Sequence, residues 1–120
     1  MRDIMVLALG GHAILPKTGT PSIGRQFLHT RRAMREVAAT LRRDAGLIIT
    51  HGNGPQVGHI LIRSEVAAGK AYPIPLSVAV AESEGEIGYV IQQSLHNALA
   101  SAGMARPIVT VLTQVVVDPG

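Results

Sequence analysis

The 120 residues contain no cysteine, which excludes a disulfide framework and any thiolate nucleophile or metal ligand. Aromatic residues are scarce, with one phenylalanine, two tyrosines and no tryptophan, so the stacking platforms that hold unpaired bases are missing. No apolar run approaches the roughly 20 residues that cross a bilayer. The opening is not a secretion signal: the apolar stretch Ile4–Leu9 is short and runs into Gly10-Gly11 rather than a small-residue cleavage site. Internal repeats and low-complexity tracts are absent as well. These absences predict a cytoplasmic protein with no membrane and no nucleic-acid partner.

What is present suits one domain with a real core, since 47% of the residues are hydrophobic. The net charge is +3, and Arg25, Arg31, Arg32, Arg35, Arg42 and Arg43 fall within one predicted helix. Without a reading motif, such a basic run is expected to be a solvated helix face. A basic surface still attracts anionic small molecules at long range.

Along the chain, strand and helix patterns alternate. Ile4–Leu9 is continuously apolar and stops at two glycines, as a strand buried on both faces does. Residues 16–24, rich in Gly, Pro, Thr and Ser, read as a surface loop, with Ser22 placed to cap the next helix. Phe27, Met34, Val37, Ala38 and Leu41 recur at helical spacing, and Asp44-Ala45-Gly46 closes that helix. Leu47, Ile48, Ile49 and Thr50 form a second short strand. His51-Gly52-Asn53-Gly54-Pro55 is a tight turn, with Pro55 opening a helix whose inner face carries Val57, Ile60 and Leu61. Residues 71–76 are extended. A longer helix runs over about 80–100, with Ile87, Ile91, Leu95 and Leu99 on one side. Residues 107–117 predict a third strand, followed by the turn signal Asp118-Pro119-Gly120. The order β-α-β-α-α-β implies a mainly parallel sheet between helices. Three strands fall short of the usual five or six, so the sheet reads as cut at Gly120 rather than finished.

Each glycine-rich turn follows the carboxyl end of a predicted strand, the place where open α/β sheets bind ligands. Glycine there lets backbone N–H groups approach an anion, and the helix starting at Pro55 adds free donors and the positive end of its dipole. Two such turns on neighbouring strands predict a phosphate or carboxylate site, although a Gly-Gly pair after a strand is often only a turn. Neither the Walker Gly-Lys-Ser/Thr loop nor the Gly-x-Gly-x-x-Gly fingerprint is present. His51 and His59 stand eight apart, with no third ligand at a metal-binding spacing, so zinc is not expected. Glu82, Glu84 and Glu86 read as cap and surface charges, because residues two apart on a helix point in different directions.

Four blocks, in order, resemble the carbamate kinase family of the amino-acid kinase superfamily: Ala8-Leu9-Gly10-Gly11-His12-Ala13, then Thr50-His51-Gly52-Asn53-Gly54-Pro55-Gln56-Val57-Gly58, then Ala81-Glu82-Ser83-Glu84-Gly85-Glu86-Ile87-Gly88-Tyr89, and Leu112-Thr113-Gln114-Val115-Val116-Val117-Asp118-Pro119. The resemblance covers essentially the whole chain. It implies an α/β fold, a three-layer αβα sandwich with a mainly parallel sheet, here incomplete. Residues 1–120 would be its N-terminal, carbamate- or carbamoyl phosphate-binding part, without the nucleotide half. It also implies reversible phosphoryl transfer between ATP and carbamate, a homodimer, and a role in arginine metabolism. ATP or ADP and Mg²⁺ would be bound mainly by the other half. The residues lining the acceptor and phosphoryl group would be Gly10, Gly11, His12, Gly52, Asn53 and Gly54.

The chain departs from the family pattern at His12, where asparagine is usual; an imidazole can donate one hydrogen bond and carry positive charge below its reference pKa of about 6.5. Ala8 replaces a lysine of the wider superfamily, in agreement with carbamate kinases. By the resemblance, the family's essential lysines and metal-linked aspartate would lie beyond Gly120, so no catalytic residue is assigned in this chain; Lys17 and Lys70 fit no motif. His59 stands one residue later than the helix histidine of isopentenyl phosphate kinases, about 100° around the helix. A related small-acceptor kinase and a non-catalytic anion-binding or dimerisation module remain open beside the carbamate kinase reading.

Overall fold

In the computed structural model, which describes residues 3–15, 18–118 and 120 and only the backbone of His12, Ile4–Leu9 forms β1 and Gly46–His51 forms β2. They pair in parallel, Ile4 opposite Gly46 and Leu9 opposite His51. Between and after them lie α1 (Gly11–Ile14), α2 (Ile23–Thr40), α3 (Gly54–Val66) and α4 (Leu76–Ser101). This is the expected α/β architecture with a parallel sheet. The single turn α1, capped by Gly10, occupies the place read as a glycine turn alone.

Side chains alternate across the strands. Met5, Leu7 and Leu9, with Leu47 and Ile49, face the core built by Met34, Ala38 and Leu41 of α2 and its following turn and by Ile87, Ile91, Leu95 and Leu99 of α4. The opposite face carries Ile4, Val6 and Ile48, which are 64%, 64% and 50% exposed. β1 was expected to be buried on both faces. Among the described residues one face is covered, because both long helices use their apolar stripes on the same side.

Ser22 caps α2 as expected, its Oγ accepting from the Arg25 N–H at 3.3 Å. The helix stops at Thr40, whose hydroxyl donates back to the Glu36 and Val37 carbonyls, and Leu41 turns extended. Arg42 and Arg43 therefore leave the basic helix face. Arg42 pairs with Asp3 and Asp44, and Arg43 donates to the Gly103 carbonyl.

Helix α4 begins four residues before the expected start, with the extended Pro75 as its cap. At its other end Gly103, at φ +66°, closes the helix. The Met104 N–H reaches the Leu99 carbonyl and the Gly103 N–H that of Ala100, the paired bonds that a left-handed residue past a helix end makes possible. This turn sends the chain back along α4. Arg106 donates to the Ala45 and Arg43 carbonyls, Gln92 to that of Ile108, and Glu84 accepts from the Thr113 N–H and hydroxyl at 2.7 and 3.0 Å.

The third strand expected over 107–117 does not form in the described residues. The segment is anchored to α4 by side chains and makes no ladder with β2. A strand exists only with a partner edge at hydrogen-bonding distance. Here a cleft of about 820 Å³ lies between β2, α4 and the segment. Of the turn signal after the segment, Pro119 lies outside the described residues. Gly120 has a φ of +91° and its N–H donates to Asp118 Oδ1 at 3.0 Å, the side-chain-to-backbone contact by which aspartate favours turns.

Candidate functional site

Because β1 and β2 are parallel and end in register at Leu9 and His51, the chain leaves both strands at the same edge of the sheet. Adjacent strands are about 4.8 Å apart, so Gly10-Gly11 and Gly52-Asn53-Gly54 emerge side by side. The two turns thus lie on neighbouring strands at one edge, as the sequence predicts. Helix α3 starts directly after the second turn, with Pro55 in its first positions.

Gly10, Gly11, Gly52 and Gly54 all avoid positive φ, so backbone strain does not require glycine there. A Cβ on any of them would meet nothing within 4 Å, so the chain's own packing does not require it either. Gly24, Gly58 and Gly85, inside α2, α3 and α4, also face empty space; what distinguishes the four is that they follow the strand ends at one edge of the sheet, Gly11 and Gly54 as the first residues of α1 and α3. Open space therefore lies before the backbone at each of the four. Gly120 is a different case. Its positive φ is a backbone reason for glycine, it is exposed and its N–H donates to the nearby Asp118, and it does not line the cleft.

Asn53 caps α3 through its backbone carbonyl, which accepts from the Val57 N–H at 3.0 Å, and its side chain makes no cap bond. The Nδ2 atom donates instead to Ser83 Oγ on α4, at 2.9 Å. Asparagine at this position commonly uses its side chain on a first-turn N–H; here those donors stay free of it. His51 Nδ1 lies 3.2 Å from the Gly52 carbonyl oxygen, so it donates when that nitrogen carries the proton. His12 lies in α1 beside Gly11, but its side chain is outside the described residues, as is Lys17.

Among the described residues no group of three His, Asp or Glu side chains could hold a metal. Glu84 is bonded to Thr113, and Glu86 lies 3.6 Å from Arg63. Glu82 and Glu84 were expected as cap and surface charges; α4 starts earlier, at Leu76, with no acidic residue in its first turn, and Glu84 instead fixes the segment after α4, a contact between distant parts of the chain that spacing does not encode. The described carboxylates therefore do not form a donor set that fits Mg²⁺. No helix is long and apolar enough to cross a membrane among the described residues.

No family model matches the chain. It is 42% identical over 118 residues to the carbamate kinase of Pyrococcus furiosus, a match covering 95% of this chain and 37% of that enzyme. It is 42% identical over 120 residues to a carbamate kinase-like protein of Escherichia coli, covering 98% of the chain and 38% of that protein. The fold superimposes on the carbamate kinase of Giardia with a TM-score of 0.91 at 34% identity, over 99% of this chain and 40% of the other. A structure of the Giardia lamblia enzyme bound to AMP-PNP gives a TM-score of 0.90. The resemblance read from the four blocks is thus upheld along nearly the whole chain, which spans little more than a third of these relatives' length.

Proposed function

We propose that this chain supplies the acceptor and phosphoryl side of a carbamate kinase-type phosphotransferase, which converts ADP and carbamoyl phosphate to ATP and carbamate and the reverse. In the forward direction an oxygen of the ADP β-phosphate attacks phosphorus, the bond from phosphorus to the carbamoyl oxygen breaks, and carbamate leaves with the electron pair. Such transfer depends on positioning and charge stabilisation more than on covalent chemistry. The observation that carries the reading is the side-by-side exit of two glycine turns, with open space before Gly10, Gly11, Gly52 and Gly54 and α3 starting at the second. Backbone N–H groups at that edge would hold the phosphoryl oxygens, with Asn53 and His12 beside them.

In this reading nucleotide and Mg²⁺ belong to the part of the relatives that this chain does not match. The AMP-PNP complex of the Giardia lamblia enzyme supports a nucleotide partner for the complete enzyme. A cytoplasmic homodimer acting in arginine metabolism completes the proposal. Calorimetry tests the division of labour. The chain should bind carbamoyl phosphate, with inorganic phosphate competing, and should not bind AMP-PNP. Binding of AMP-PNP without carbamoyl phosphate would assign the chain to the nucleotide side and overturn the proposal.

A further inference from the structure

The Asn53–Ser83 contact has only one workable arrangement of protons. Ser83 Oγ lies 2.6 Å from the Val80 carbonyl oxygen and 2.9 Å from Asn53 Nδ2. Two oxygens at the shorter distance need a proton between them, and only the hydroxyl can supply it. The single proton of Ser83 is therefore committed to Val80, and toward Asn53 the hydroxyl can only accept. The NH₂ group of the carboxamide must face Ser83, so Oδ1 is turned away from it. Ser83 is fully buried, which keeps water from competing for either bond. Asn53 itself is half-buried between two exposed glycines, beside the cleft.

We propose that Ser83 is a positioning residue: it locks the Asn53 carboxamide so that Oδ1 accepts a hydrogen bond from the amino group of the acceptor. The inference rests on the reading of the glycine turns as the acceptor site and adds how that site selects its substrate. Phosphoryl oxygens carry only lone pairs, which suit the turns' N–H groups and would repel Oδ1. On carbamate or carbamoyl phosphate the only hydrogen-bond donor is the NH₂ group. Acetyl phosphate carries a methyl group there and would leave Oδ1 unpaired against an apolar group, the kind of mismatch by which sites reject analogues. Ser83 acts through Asn53 and touches no substrate.

The test uses the ¹⁵N-labelled 120-residue chain, with carbamoyl phosphate and acetyl phosphate as probes. The wild type should prefer carbamoyl phosphate by about five- to tenfold, in line with one hydrogen bond and its unpaired acceptor. In Ser83→Ala the side-chain amide signals of Asn53 should move and the preference should fall to below about twofold, as carbamoyl phosphate loses its fixed acceptor and acetyl phosphate no longer faces one. Where the alanine variant fails to fold, Ser83→Cys, similar in volume and a poor hydrogen-bonding group, takes its place with the same expectation. Asn53 amide signals identical in variant and wild type would overturn the anchoring. Signals that move while the preference persists would overturn the selection of the amino group. A wild type that binds neither compound would overturn both the proposed function and this selectivity, and the amide signals alone would then decide whether Ser83 holds Asn53.

Discussion

At the scale of single residues, Gly52 separates the ligand account from a purely structural one. Its φ is not positive and a Cβ there meets nothing within 4 Å. Gly52→Ala should therefore stabilise the chain by about 0.4–1 kcal/mol, by narrowing the unfolded ensemble. The same change should weaken carbamoyl phosphate binding by at least about tenfold, because the methyl group occupies the space an anion needs. Thermal melts and calorimetry on one preparation check both signs; equal affinity in variant and wild type contradicts the assignment. The glycines and Asn53 could be found in the sequence because turn residues after apolar runs announce themselves locally. Ser83 and Glu84 could be noticed only as parts of a motif. Their partners, Asn53 and Thr113, lie 30 and 29 residues away, and only packing brings them together.

The elements themselves were legible wherever periodicity and capping agreed. Ile87, Ile91, Leu95 and Leu99 repeat every fourth residue and all are buried, so one helical stripe was the only consistent reading. Leu95→Ala should cost about 2–5 kcal/mol by opening a cavity against α2, measurable as a lowered denaturant midpoint. The stretch over 107–117 misled for a physical reason. Its β-branched run has the composition of a strand, but a strand is a property of two edges, and local sequence does not say whether the second is present. Gly88 shows how closely this stretch lies on α4, since a Cβ there would collide with the Thr110 side chain. Gly88→Ala should thus lift the segment away despite the better helix propensity of alanine. Limited proteolysis within 106–113 should quicken severalfold while cleavage in α2 stays unchanged; an unchanged pattern would show that Thr110 simply rotates aside.

On the scale of the whole molecule, the sequence describes more burial than the described residues provide. β1 is apolar on both sides, yet Ile4 and Val6 are exposed; Val109, Val111, Val115, Val116 and Val117 are exposed too. Apolar surface of this extent is uncommon on monomers, so the purified chain should self-associate across micromolar concentrations. Sedimentation that stays monomeric throughout that range would contradict this. The chain alone should form no ATP from ADP and carbamoyl phosphate, since the Giardia enzyme it superimposes on is about two and a half times as long. The central claim is that the two glycine turns form one anion site for the acceptor, and it is tested most directly by following backbone amide signals as carbamoyl phosphate is added. The account predicts that Gly10, Gly11, Gly52 and Gly54 move first and saturate together with a single affinity. Shifts confined to Arg31, Arg35 and their neighbours on α2, with the four glycines unmoved, would reduce the interaction to charge attraction and contradict the account.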